Sequence, residues 1–174
     1  MVSYQLYDTE RHEIQTMKEL DLMAENTRSL LMYMNYHLLG IDDVNANLAA
    51  SHIGRCYGVI DILKKLKYYL AKHRQYIPSD LLLKHGIYFD RIWKPNREGL
   101  VNEEFQDVVL EIAGWALQHL EKGRSYKDKL PKEAHRALLL AIEADHFLKD
   151  LETYNFDIFD EHFTSTPSYI KIPY

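Results

Sequence analysis

Cysteine is nearly missing from this chain: Cys56 is the single one among 174 residues. An internal disulfide framework is thereby excluded, and a reducing compartment such as cytosol, nucleus or mitochondrial matrix suits the composition. Cys56 falls among apolar helical positions, where a small buried thiol fits better than a nucleophile without a partner. Long apolar runs are missing too. The longest uncharged stretch, SLLMYMNYHLLGI from Ser29 to Ile41, includes Asn and His and falls well short of the roughly 20 apolar residues of a membrane span, so a soluble or peripheral protein is expected. Positive charge is in deficit. Lys and Arg number 21 against 26 Asp and Glu, a net charge of −5, which argues against nucleic acid as a partner because phosphate binding needs a basic domain or a dominant basic face. The opening MVSYQLYDTERHEIQTMKEL lacks the apolar run of a signal peptide, and its Asp8, Glu10 and Glu13 are unlike an acid-poor transit peptide.

What is present reads as helix, in an amount that suits one domain with a proper core. A first long amphipathic helix is expected from Glu10 to Leu39, on Leu20, Met23, Thr27, Leu30, Leu31, Met34 and Leu38, with Gly40 as its stop. Asp42 or Asp43 caps a second, running through Leu48, Ile53, Cys56, Val59, Ile60, Leu63, Leu66 and Leu70 until Tyr76-Ile77-Pro78 breaks it. A short helix over Leu81 to Lys84 follows, then a loop, YFDRIWKPNREG. The fourth helix covers about Val101 to Lys122 with Gly123 ending it, and the fifth starts near Pro131 and takes in Ala134, Leu138, Ala141, Ile142, Leu148 and Leu151. Residues 1–163 thus form one helical domain and 164–174 an irregular tail.

Two features of the second helix call for explanation. Ala50, Gly54 and Gly58 recur at i, i+4 and i+8, a stripe bare of side chains that serves either close helix packing or a slot for a long apolar ligand. The second feature is a basic strip, Lys64, Lys65, Lys67 and Lys72, with no carboxylate between Asp61 and Asp80. As the solvated face of a helix it would mean little. The series Lys65, Tyr69, Arg74, Tyr76, Pro78, Asp80 and Gly86, however, resembles the stretch of squalene and phytoene synthases in which two aspartates four apart on a helix precede an R-x-Y-x-P-x-D-like turn. In those enzymes the aspartates hold Mg²⁺ for a prenyl diphosphate. Here Lys65 and Tyr69 occupy the two aspartate positions. Mg²⁺ takes hard oxygen ligands and an ammonium repels it, so the metal site is expected to be absent and no cofactor is implied. Lys65 and Arg74 match phosphate chemically, yet supply only static charge without the metal that activates the leaving group.

The segments AENTRSLLMYMNYHLLGI, AASHIG, RQYIPSDLLLKHGI and NFDIF, in that order, resemble a mitochondrial, non-catalytic branch of the same family. That resemblance implies an all-α, isoprenoid-synthase-type helical bundle, a pseudoenzyme at the matrix side of the inner membrane that promotes assembly of respiratory complex I. Its implied partners are complex I subunits or other assembly factors, with peripheral membrane association and room for, but no requirement of, a bound isoprenoid or other lipid. Family members carry several helices ahead of the segment aligning with Met1, so this chain is expected to be the C-terminal part of such a domain, with the presequence outside it. On this reading Lys65, Tyr69, Arg74, Tyr76 and Asp80 are a relic diphosphate and metal region turned binding surface. An active prenyl-diphosphate condensing synthase and a generic helical interaction module are the competing readings. Other constellations are weaker: Asp157, Asp160 and Glu161 follow the last helix, Glu143, Asp145 and His146 diverge on theirs, and His37, His52 and His119 fit satisfied, partly buried histidines better than ligands.

Overall fold

Thr16 opens the first helix. Its hydroxyl accepts from Glu19 N at 3.2 Å, and the Glu19 carboxylate accepts from Gln15 N at 2.8 Å, so two donors at the helix start are satisfied reciprocally. The computed structural model describes residues 13–88 and 103–164; most of the loop expected at 88–99 and nearly all of the tail lie outside them. The first helix begins at Met17 rather than Glu10 because the residues just ahead of it are engaged elsewhere. Ile14 N donates to Gln75 O at 3.0 Å, while Ile14 O and Gln15 O accept from Ser79 N and Asp80 N at 3.1 and 3.0 Å. An isolated parallel bridge, Glu13 with Gln75, results.

Helix α1 (Met17–Ala24) passes through a π-helical turn, Glu25–Ser29, into α2 (Leu30–Leu38). Asn26 Nδ2 donates to Leu22 O at 2.8 Å and Thr27 Oγ1 to Met23 O at 2.7 Å. These side chains compete with backbone amides for the carbonyls of the preceding turn and open the spiral there. The wider turn also shifts the buried face: it runs Leu20, Ala24, Ser29, Met32, Tyr36, with a step of five residues at the π turn. Leu31, Met34 and Leu38, expected inward from an unbroken period, are consequently exposed, Leu38 at 82 %. Gly40 closes α2 at φ +70°, and Ile41 N reaches back to Tyr36 O at 2.9 Å; a left-handed residue here is nearly free only for glycine.

Asp43, not Asp42, caps α3 (Val44–Lys64), its Oδ1 accepting from Ala46 N at 2.8 Å. The helix stops at Lys65, earlier than periodicity implies, and resumes as α4 (Leu66–Ala71). His73 then turns the chain at φ +54°, and Arg74 N bonds Tyr69 O at 2.9 Å. Pro78 introduces α5 (Ser79–Lys84). After α6 (Glu103–Arg124), 3-10 turns at Lys127–Lys129 and Lys132–Ala137 lead past Pro131 into α7 (Leu138–Thr153), and α8 (Glu161–Thr164) follows.

The core is organised around α3. Helices α1, α6 and α7 and the π turn all pack on it, α6 most extensively, so its buried residues occupy several faces: Ala46, Ala49, Ala50, Ile53, Cys56, Val59, Ile60 and Leu63. Leu48, at its less covered start, is exposed, as is Ile142 on α7, both against the expected pattern. Gly123 does not end α6. It lies within the helix, where a Cβ would fall 2.6 Å from Ile53 Cγ1.

Gly54 and Gly58 meet the first helix in the same manner. A Cβ on Gly54 would lie 2.6 Å from Ser29 N, and one on Gly58 2.7 Å from Ala24 Cβ; backbone and side chains fill the space beside this stripe. Gly114 on α6 has nothing within 4 Å of its Cβ position. Two substitutions of one kind therefore have opposite signs. Gly54→Ala overpacks the contact and lowers stability by about 1–3 kcal/mol, whereas Gly114→Ala raises it by about 0.5–1 kcal/mol through helix propensity, as read by denaturant unfolding.

Candidate functional site

The basic strip ends α3, and the fold brings acids to it from afar. Arg28, carried on the π turn, places Nη2 2.5 Å from Asp61 Oδ2, and Lys65 Nζ lies 2.8 Å from Asp61 Oδ1. Lys64 Nζ sits 2.6 Å from Glu143 Oε1 of α7, and the Tyr57 hydroxyl donates to Glu143 Oε2 at 3.1 Å. Lys64 also lies over the Phe147 ring at 5.1 Å, and both Lys64 and Arg28 approach the Tyr57 ring at 5.7 Å. Three cations are thus matched by two carboxylates and an aromatic wall. Lys67 and Lys72 remain exposed.

The electrostatics follow from this arrangement. Burial pushes the Asp61 carboxyl up, but hydrogen bonds from Lys65 and Arg28, with their charge, pull it further down, so it is held below its ordinary value. Burial, then the Glu143 charge and hydrogen bond, drives the Tyr57 phenol up to about 12, which keeps it a hydrogen-bond donor at neutral pH. Burial likewise pushes the Cys56 thiol up to about 12, so it is not a thiolate under ordinary conditions.

The residues singled out from sequence are placed as follows. Lys65 belongs to the ion-pair group. Tyr69 is half-buried, with its ring edge-on to Tyr76 at 4.5 Å. Tyr76 is itself buried, a packing residue rather than one presented to a ligand. Arg74 continues the turn through its backbone bond to Tyr69. Asp80 is exposed, and its Oδ1 accepts from Leu81 N at 2.7 Å in the first turn of α5. Gly54 and Gly58 line the contact with α1 and the π turn, and Ala50 on the same stripe is buried. Arg28, Tyr57 and Glu143 were missed as members of the group; their partners stand 33, 86 and 79 residues away, beyond any local spacing rule.

A second polar group lies along the α1–α3 seam. Arg55 binds Glu25 at 2.9 Å and Asp21 at 2.6 Å, and Glu25 accepts from Ser51 and Tyr33 as well. The other acidic constellations are engaged within the chain: Asp157 and Asp160 accept from Phe159 N and His162 N, and Asp145 pairs with Arg124 and Lys149. Among the described residues no three His, Cys, Asp or Glu side chains converge on a metal position. An open hollow of about 700 Å³ sits beside Tyr33, His37, Ile41, Asp42 and Asn47, at the opposite end of α3, which at 21 residues is about 30 Å long.

Helices enclosing α3, with its C-terminal end turned toward a converging polar group and an R-x-Y-x-P-x-D turn, define a prenyl-synthase-type bundle. The model of the squalene/phytoene synthase family matches residues 2–169, and the chain belongs to that family. The structure resembles that of squalene synthase HpnC from Alicyclobacillus acidocaldarius, with a TM-score of 0.76 at 16 % identity over 86 % of this chain and 56 % of that one; this likeness concerns the fold. Among curated proteins, NADH dehydrogenase (ubiquinone) complex I, assembly factor 6 is 34 % identical in Rattus norvegicus over 83 % of this chain, and 34 % identical in Homo sapiens over 82 %. A homolog in Dictyostelium discoideum is 29 % identical over 88 %. The chain spans 42 %, 41 % and 42 % of the lengths of these three relatives.

Asp61 is the carboxylate on which the ion-pair group turns. Asp61→Asn leaves Arg28 and Lys65 facing one another across a neutral amide, and a loss of about 1–2 kcal/mol is expected, less than for a fully buried pair because the lysine is half exposed. Because the folded carboxyl is held low, its contribution is present above the ordinary aspartate value near 3.9 and is lost as pH falls through the folded one. Urea unfolding between pH 7 and pH 2 should show a shallower acid-side loss in Asp61→Asn than in the wild type.

Proposed function

We propose that this chain is the helical part, residues 1–163 with a tail at 164–174, of a non-catalytic mitochondrial factor that promotes assembly of respiratory complex I. One observation carries the reading: at the positions where the resemblance to the enzymes puts the metal-holding aspartates stand Lys65 and Tyr69, one salt-bridged to Asp61 and the other packed on Tyr76. A carboxylate pair there would gather Mg²⁺. An ammonium already engaged with Asp61 and a half-buried phenol do not. The relatives that bear the assembly-factor name support the same direction.

In this reading the working location is the matrix side of the inner membrane, the association is peripheral, and the partners are complex I subunits or other assembly factors. Among the described residues no helix is long and apolar enough to cross a membrane. The surface offered to a client is the strip around Lys65 and the following turn, where Lys67, Lys72 and Asp80 are exposed, while buried Tyr76 holds the turn in place.

Deleting the gene and resolving respiratory complexes on native gels tests this. Assembled complex I should fall while the other complexes and the sterol or carotenoid content stay near normal, and the wild-type gene should restore it. Lys67→Glu/Lys72→Glu, which reverses exposed charge without touching the core, should rescue less well at equal protein abundance. Normal complex I in the deletion would defeat the reading, and a missing isoprenoid product would point instead to a synthase.

A further inference from the structure

Helices α3 and α6, the most extensively packed pair, meet at two imidazoles that the polar groups described above do not use. His52 Nδ1 and His119 Nδ1 lie 3.0 Å apart in a hydrogen bond, one ring's N–H donating to the other's nitrogen, with ring centroids at 5.0 Å. Trp115 packs on His119 at 4.1 Å and Tyr126 stacks on His52 at 6.4 Å, 14° from parallel, so both rings are held by neighbours on their apolar faces. Both are half-buried, and solvent reaches them.

We propose that His52 and His119 form a two-imidazole site for a borderline transition-metal dication of the Zn²⁺, Ni²⁺ or Cu²⁺ class. The first ground is distance. Two metal–nitrogen bonds of about 2.0–2.1 Å span roughly 2.9 Å at a right angle and roughly 3.3 Å at the tetrahedral angle, and the observed 3.0 Å falls between them; the ion takes the place of the proton one ring donates to the other, and that proton passes to Nε2 of the same ring. The second is pre-organisation: each ring is fixed on a separate long helix, and Trp115 and Tyr126 restrict its orientation, so little ordering remains to be done on binding.

The surroundings set the character of the site. Asp21 and Glu25 of the first helix act on both rings against Arg55, and Lys122 acts on His52. The local charge is therefore close to balance, and a dication is not repelled by an excess of cations. One oxygen of Asp21, Oδ1, is buried and has no hydrogen-bond partner among the described residues, while Oδ2 of the same carboxylate pairs with Arg55. Since no third His, Cys, Asp or Glu among the described residues converges with the pair, water completes the coordination. Such a site is open and exchangeable, not a closed structural one. Imidazole also separates it from the Mg²⁺ chemistry of the synthases, which calls for hard oxygen.

The test uses the full chain, freed of any affinity tag and stripped of metal, at pH 7.5. Equilibrium dialysis against Zn²⁺ should leave one bound ion. His52→Gln and His119→Gln should each weaken binding at least tenfold, while His37→Gln, an exposed histidine at the far end of α2, should not change it. Electron paramagnetic resonance of the Cu²⁺-loaded wild type should show coupling to two imidazole nitrogens, a reading that does not depend on how the variants fold. Equal Zn²⁺ retention by wild type and both pair variants, or a Cu²⁺ signal coupled to one imidazole or none, would overturn the proposal.

Discussion

The close approach of α3 to the first helix at Gly54 and Gly58 is the constraint on which the other features depend. Ser29 and Ala24 occupy the volume that side chains at those positions would take, so the two helices lie backbone against backbone. At that separation Arg28 reaches Asp61, and Arg55 spans Asp21 and Glu25. The π turn is part of the same device. Its extra residue rotates Ser29 into the contact and leaves Arg28 beside the end of α3, and without it the inward face of α2 would be a different set of side chains.

Electrostatic closure of the C-terminal end of α3 follows. In Mg²⁺-dependent prenyl chemistry, carboxylates must be free to face an incoming dication and diphosphate. Here Asp61 and Glu143 are engaged by Arg28, Lys65, Lys64 and Tyr57 within the chain. A carboxylate held down by two cations is a poor ligand for a third, because binding the new one means giving up hydrogen bonds that already hold its charge. Lys65 thus neutralises the acid one helical turn before it.

Much of the helical plan was legible because its signals are local. Asp43, Gly40 and Pro78 mark boundaries through cap chemistry and φ restrictions that act within a few residues, whereas the helix expected from Pro131 begins only at Leu138, after a 3-10 turn over Lys132–Ala137. The π turn escaped because Asn26 and Thr27 open it by side-chain bonds to Leu22 and Met23 carbonyls, which leave no mark on a hydrophobic period. Gly123 read as a terminator for lack of knowledge that Ile53 would stand against it. At the site, position 65 stood out through the motif frame, while its pairing with Asp61 one helical turn away went unread. Arg28, Tyr57 and Glu143 were not, since tertiary packing alone brings them there.

The central claim of the proposed reading is that this end of α3 does not support metal-dependent ionisation of a prenyl diphosphate. The most direct measurement is pyrophosphate release by the gene's full-length product given farnesyl or geranylgeranyl diphosphate, with and without Mg²⁺. The account predicts the same background rate in both, with no coupled hydrocarbon formed. Mg²⁺-dependent release accompanied by a coupled product would contradict it.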